Sequence, residues 1–227
     1  MPLSGICVQG AGGYAGRMDD RPPLRERKKQ RTRDALVATA LELFTARGFD
    51  GVTLDELCDA VEVSKRTFFR TFASKEDVAM APTQDLWAAF LEELETRELG
   101  GRPIFDLLQG SVFAALGVMT AEGWARQVRL SMRLEAKTPS MNAHGLHFCD
   151  RTTREALTIL RRRFDFDGPH DLRLRLALDM LVAAFHCALE IWATGPGTPG
   201  RAELAEGLRD AFAAVPGSLT LSASPRE

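Results

Sequence analysis

Residues 38 to 77 read ATALELFTARGFDGVTLDELCDAVEVSKRTFFRTFASKED and contain three helix starts in close succession. Thr53-Leu54-Asp55-Glu56 is a capping box, in which the threonine oxygen meets an orphan N–H while the glutamate reaches back to the cap. Ser64 is placed as the N-cap of a short helix from Lys65 to about Thr71, and Ser74 as that of a longer one. Upstream, Leu36, Val37, Ala40, Leu41 and Phe44 recur at helical spacing, predicting a first helix from about Arg31 to Arg47. Gly48 stands where a left-handed stop belongs. The second helix ends near Ala60, and the turn Val61-Glu62-Val63 joins it to the third. Two short helices joined by so short a turn describe a helix-turn-helix.

The third helix divides by face. Phe68 and Phe72, four apart, pack inward, while Arg66, Thr67, Phe69 and Arg70 flank or oppose that stripe. In a major groove, Arg66 and Arg70 can donate to guanine edges or phosphates, and Thr67 can meet a thymine methyl. Helix starts near Thr53 and Ser64 offer amide groups to phosphates, and Lys75 offers a cation.

Charge is unevenly distributed. Arg21, Arg25, Arg27, Lys28, Lys29, Arg31 and Arg33 face one acid, Glu26, over thirteen residues, a local charge of +6 in a chain of net −2. The remaining residues therefore sum to −8. A flexible basic arm leading into a helix gains DNA affinity by releasing counterions. The chain as a whole, 227 residues with 45% hydrophobic and 26% charged, has the balance of an ordinary globular protein rather than a disordered one.

The stretch 38–77 resembles the N-terminal DNA-binding domain of TetR-family transcriptional regulators. The resemblance lies in the order Phe-x-x-x-Gly-Phe, Val-Thr, Val-Ser-x-x-Thr-Phe-Phe and Phe-x-Ser-Lys-Glu, and covers about a fifth of the chain closely. It implies an all-α homodimer: a three-helix DNA-binding unit, then a larger helical ligand-binding and dimerisation domain. Most such proteins repress transcription and leave DNA when a small molecule binds. Thr53 then matches a phosphate contact at the second helix, and Ser64, Lys65, Arg66, Thr67 and Arg70 fall on the recognition helix. Lys75 matches a phosphate-binding lysine. With Arg31 and Phe69 these residues make the expected DNA-binding set. Two positions depart from the family. Phe69 stands where relatives often carry a tyrosine that reaches a phosphate, and Glu62 where the turn often has glycine. A left-handed backbone at Glu62 costs up to ~1 kcal/mol.

Four segments follow: a disordered tail (1–23), with Met18 as an alternative start; the helix-turn-helix unit (24–77); a helical ligand-binding and dimerisation domain (78–215); and a loose end (216–227). Pro82 is expected to kink or split the fourth helix, with a restart at Thr83. Further helices are predicted at roughly 103–119, 122–137, 140–164, 170–194 and 200–214. Bulky residues among them suggest an effector pocket lined by Trp87, Phe113, Trp124, Met132, His144, His147, Phe148 and Phe185, with Arg129, Arg133 and His186 as further polar groups. Each aromatic or methionine can equally be plain core. Leu178, Leu181, Val182, Ala184, Leu189, Leu204, Leu208 and Phe212 are expected to pair with a second copy as a four-helix interface.

The rest is negative or mundane. Charges interrupt the apolar runs before the ~20 residues of a bilayer span, so no membrane helix is expected. Cys7, Cys58, Cys149 and Cys187 form no pair and fit free thiols in a reducing cytoplasm. His144 and His147 near Cys149 lack a third metal ligand and are read as structural or pocket-lining, and Arg161-Arg162-Arg163 is read as neutralising its own helix C-terminus. No phosphate loop or nucleophile motif appears, and neither cofactor nor metal is expected. The expected partners are double-stranded DNA at a palindromic operator, a small-molecule effector and a second copy. Two alternatives stay open: an activator, and a small-molecule-binding protein whose DNA module is vestigial.

Overall fold

The computed structural model describes residues 23–168, 171–198 and 200–223. Most of the tail expected at 1–23 and the last four residues of the one expected at 216–227 lie outside them. The described residues fold into nine helices: α1 Leu24–Arg47, α2 Leu54–Ala60, α3 Lys65–Phe69, α4 Lys75–Thr96, α5 Ile104–Val118, α6 Trp124–Glu135, α7 Pro139–Arg163, α8 Leu172–Thr194 and α9 Arg201–Ser218. Among them there is no strand, as the hydrophobic periodicity requires.

Two hydrophobic cores organise these helices. The smaller joins Leu36, Leu41, Phe44, Leu57 and Phe68 of α1–α3 to Val78–Ala81 of α4, and takes in Leu134 of α6 and Met141 of α7. The larger gathers the distal part of α4 with α5–α9. The core of the N-terminal unit therefore does not stop at Asp77; α4 belongs to both cores, and α6 and α7 touch the first.

Several expectations need correction. α1 begins at Leu24 rather than Arg31, so Arg25 to Gln30 are helical and do not form a flexible arm. α3 ends at Phe69, two residues short of Thr71. α4 runs unbroken through Pro82, which is buried. Proline lacks only its own N–H and clashes only one turn upstream, and the Pro82 carbonyl accepts the Trp124 indole N–H at 2.9 Å. α9 likewise continues through Pro216 to Ser218. α8 is long and apolar enough to cross a membrane by length and composition alone, contrary to the sequence reading, yet half of that apolar stretch is buried inside the protomer.

The interface residues also change role. Leu178, Leu181, Ala184, Leu189, Leu204, Leu208 and Phe212 are buried in the protomer's own core, with Val182 partly buried against it. The exposed side of α8 carries a different apolar stripe: Leu172 (72% exposed), Leu176 (55%) and Ile191 (74%). Helix ends are closed by arginines from other helices. Arg163 of α7 donates to the carbonyls of Leu94 and Arg97 at the end of α4, and Arg162 pairs with Glu95. The arginine run thus serves the C-terminus of α4 as well as standing at the end of α7. Arg129 of α6 donates to the carbonyls of Ala193 in the last turn of α8 and of Gly195 and Gly197 just beyond it, which occupies it structurally.

Candidate functional site

The helix-turn-helix is assembled by local caps. Thr53 Oγ1 accepts from the Glu56 N–H at 3.2 Å, and a Glu56 carboxylate oxygen accepts from the Thr53 N–H at 2.8 Å. Arg47 donates from the end of α1 to that carboxylate at 2.6 Å and to the Gly51 carbonyl at 3.0 Å. The Thr53 amide foremost, then the Arg47 guanidinium, hold the Glu56 carboxyl down at about 2. Ser64 Oγ accepts from the Thr67 N–H at 3.2 Å, and the two hydroxyls lie 3.1 Å apart. The intervening turn closes through the Val63 N–H donating to the Cys58 carbonyl at 2.9 Å, and it requires φ +56° at Glu62. The left-handed backbone expected at that departure is present.

Phe68 is fully buried and Phe72 nearly so, their rings 5.8 Å apart, which locks α3 onto α1. The other side of α3 is left open. Phe69 is 56% exposed, and Arg66 and Arg70 are exposed with no ion pair among the described residues. Lys65 pairs with Asp55 of α2 at 2.7 Å, which raises the ammonium pKa. Beside α3, a groove of about 680 Å³ is lined by Arg25, Lys28, Lys29 and Thr32 of α1 and by Thr67, Arg70 and Thr71. The early start of α1 therefore sets basic side chains next to the recognition helix. Arg31 is exposed but is not among the residues lining that groove.

Two basic residues face inward. Lys75 Nζ donates to the carbonyls of Phe49 at 2.8 Å and Val52 at 2.6 Å, and sits 4.5 Å from the centre of the Phe49 ring. An ammonium has three donors, so one remains for a phosphate. Arg33 forms a two-pronged pair with Asp85 of α4, at 2.6 and 2.8 Å. Burial raises the Asp85 carboxyl despite that arginine. The pair ties α1 to α4.

The eight predicted pocket residues do not converge. Trp87 and Phe148 line one narrow slot between α4, α7 and α8, and Phe185 meets Trp87 edge-on from outside it, their ring centres 4.9 Å apart. Phe113 packs on Phe212 of α9, while Trp124 is anchored to the Pro82 carbonyl. Met132 is partly buried against the larger core. His144 lies 3.1 Å from the Gln84 amide nitrogen and 3.8 Å from Asp77, joining α7 to the start of α4, and His147 is exposed. The two histidines therefore diverge.

Sequence reasoning missed other slot residues, notably Cys149, Thr152 and Thr153. Cys149 lies 3.9 Å from His186. Burial, then Glu135, raises the thiol pKa, while burial lowers that of the imidazole, so both stay neutral.

Residues 36–81 match the model of the family described as bacterial regulatory proteins, tetR family. The chain is 37% identical over 175 residues to the HTH-type transcriptional regulator TcmR of Streptomyces glaucescens, covering 75% of this chain and 77% of that one. It is 40% identical over 63 residues to the HTH-type transcriptional repressor NemR of Escherichia coli (strain K12), 28% of this chain and 32% of that one. Among solved structures, Thermus thermophilus FadR, a TetR-family transcriptional repressor in complex with lauroyl-CoA, aligns over 86% of this chain and 98% of its own. The identity there is 26% and the TM-score 0.48.

Proposed function

The chain belongs to the tetR family of bacterial regulatory proteins, and from that premise we propose that it is a homodimeric repressor that releases a palindromic operator when a small molecule binds. The observation that carries the reading is the polarity of α3. Phe68 and Phe72 fix one side to the protein, while Arg66, Thr67, Phe69 and Arg70 are presented together on the other. Arg66 and Arg70 read base edges or phosphates, Thr67 and Phe69 supply apolar contact, and the helix starts at Thr53 and Ser64 position the sugar-phosphate backbone. Lys65 and the last N–H of Lys75 add phosphate contacts. Arg25, Lys28, Lys29 and Arg31 on α1 add salt-sensitive affinity along the flanking backbone.

Dimerisation is assigned to the outward stripe of α8 with α9. Leu172, Leu176 and Ile191 are exposed beside Met180, Ala183 and Cys187, and an apolar groove of about 760 Å³ between the two helices includes Gly207, Ala211 and Ala214. A two-fold interface there sets two α3 helices about one DNA turn apart, ~34–36 Å. The relative NemR is a transcriptional repressor. The protein acts in the cytoplasm, where the DNA is.

An effector acts only if it binds the released arrangement better than the DNA-bound one. The route is short: α4 is shared by both cores, and Arg33–Asp85 and His144–Gln84 bind it to α1 and α7. Selection and sequencing of genomic fragments retained by the purified protein near ~150 mM salt tests the proposal. One palindromic motif is expected. Retention without a motif, vanishing as salt rises, would sink it.

A further inference from the structure

His144 of α7 stands where the helical domain meets the first turns of α4. Its Nε2 lies 3.1 Å from the Gln84 amide nitrogen and 3.8 Å from Asp77 Oδ1. An amide nitrogen only donates, so in this arrangement Nε2 accepts and the ring N–H sits on Nδ1. A proton on Nε2 would set two donors against each other and leave Asp77 Oδ1 as the acceptor in reach. Proton uptake thus exchanges a neutral bond to Gln84 for an ion pair with Asp77, two turns nearer the start of α4.

Asp77 is the residue on which the DNA-binding unit hangs. Its Oδ2 accepts the Ala73 N–H at 2.8 Å, and its own N–H donates to Ser74 Oγ at 3.2 Å, which closes the start of the helix. Only Arg70–Ser74 separate that start from α3. Two residues before Asp77, Lys75 holds the carbonyls of Phe49 and Val52 that precede α2. A contact that fixes Asp77 to α7 therefore fixes the recognition helix relative to the helical domain.

Negative charge surrounds the ring. On α4, Glu76 faces it beside Asp77; against burial, its own N–H and the hydroxyls of Ser74 and Ser140 hold the Glu76 carboxyl below the usual carboxylate range. From α1, Arg33 is taken up by Asp85, and Asp34 adds a further negative charge near that pair. From α6, Glu135 lies against Gly145, the next residue of α7, and burial raises its carboxyl. Among the described residues no lysine or arginine pairs with Asp77.

Histidine ordinarily changes charge between about pH 5 and 8. We propose that His144 is a positioning residue for operator binding, which when charged pairs with Asp77, clamps α7 to the first turn of α4 and tightens the hold on DNA. This rests on the reading of the chain as a DNA-binding regulator. Fixing each recognition helix on its own protomer lowers the ordering cost of engaging two half-sites at once. The clamp is present where the ring is charged and is lost as pH rises.

The test measures the affinity of the full-length protein for a duplex bearing the motif recovered by genomic selection, at about pH 8 and about pH 6 and one salt concentration. Binding about three- to tenfold tighter at the lower pH is expected, since a partly exposed ion pair shifts an equilibrium by up to about fivefold and the dimer holds two. His144→Gln should lose that response. Asp77→Asn, whose carbonyl oxygen still serves the Ala73 N–H, should lose it too, although the ring still titrates there; this separates the clamp from plain attraction of a charged histidine to DNA. His147→Gln should keep it, because His147 is exposed and points elsewhere. Hydrogen exchange at about pH 6 should be slower across the first turn of α4 in the wild type than in Asp77→Asn. Thermal melts identify a variant that fails to fold, and either of the first two carries the test for the other.

Operator affinity indifferent to pH, weaker binding at the lower pH, or a response that survives in His144→Gln or Asp77→Asn overturns the proposal. The exchange measurement needs no DNA and separates this from the wider reading. Slower exchange in the wild type, with no motif returned by the selection, leaves the clamp standing and refutes the regulator. A motif bound with equal affinity at both pH values, with exchange unchanged by Asp77→Asn, leaves the regulator standing and refutes the clamp.

Discussion

The DNA-binding unit and the helical domain beyond it are held by bonds of different reach. In the former, Thr53, Ser64 and Ser74 each accept a bond from a backbone N–H at a helix start, and Thr45 and Thr71 donate to carbonyls within their own turn. In the latter, Arg163 of α7 and Arg129 of α6 close the ends of α4 and α8 from more than sixty residues away in sequence. A bond made within one turn is readable from its neighbours in sequence; one made across sixty residues is revealed only by the fold. The contrast predicts that damage to a local cap stays within the first region, while loss of a long-range arginine loosens two helices at once.

The largest effect expected is that of Phe68→Ala, which empties a fully buried site between α1 and α3 and costs about 3–5 kcal/mol. Operator binding should be lost. Hydrogen exchange should quicken across α1–α3 while the central amides of α8, anchored in the other core, keep their protection. Equal loosening of α8 would mean that the two cores unfold as one, and the contrast between regions would fail at the level of stability.

Arg66→Ala comes next. It leaves the fold intact, since the side chain is exposed and unpaired among the described residues, and should cost about 1–3 kcal/mol of discrimination at one or two operator positions. Competition binding against single-base operator variants measures it. A uniform loss across all sequences would instead place Arg66 on the phosphates. Lys28→Ala and Lys29→Ala should give that uniform loss together with a smaller salt slope.

How much of this was legible varies with how local its cause is. The starts of α2, α3 and α4 were readable because Thr53–Glu56, Ser64 and Ser74 are self-contained signals. Pro82 misled because the helix is held together around it by packing, including the Trp124 bond to its carbonyl, and the sequence places those partners 42 residues apart. The faces of α8 were exchanged for a related reason. Two apolar stripes share that helix, one through Leu178, Leu181 and Phe185 and one through Leu172, Leu176 and Ile191, and periodicity cannot say which meets the protomer's own core. Lys75 was rightly singled out, although most of its donors bind the loop carbonyls before α2.

The Glu56 capping box gives a pH test of the same contrast. Its carboxyl is held at about 2 in the folded chain, against 4.5 when unperturbed. A depressed carboxylate contributes stability that is complete above its unfolded value and is lost as pH falls through the folded one. The DNA-binding unit should therefore weaken between pH 4.5 and about 2. Glu56→Gln should already lack this contribution at neutral pH and show a flatter profile across that window in pH-dependent melts. Identical slopes in wild type and variant would show that the exposed box contributes no measurable linkage.

The smallest effect belongs to the turn. Glu62 holds φ +56°, a conformation glycine adopts without the Cβ clash. Glu62→Gly removes that strain but makes the unfolded chain freer, so the two terms oppose and a net gain of at most ~1 kcal/mol is expected. The gain should appear as a slightly higher melting temperature of the DNA-binding unit, with the preference among operator variants unchanged, because Glu62 is exposed and lies before the Ser64 cap rather than on the outward face of α3. A lowered melting temperature would show that unfolded-state entropy outweighs the strain at this turn. Altered base preference in a normally stable variant would show instead that the turn sets the angle at which Arg66 and Arg70 reach the groove. The left-handed residue would then be part of sequence reading, and the boundary between structural and functional positions would run through the turn itself.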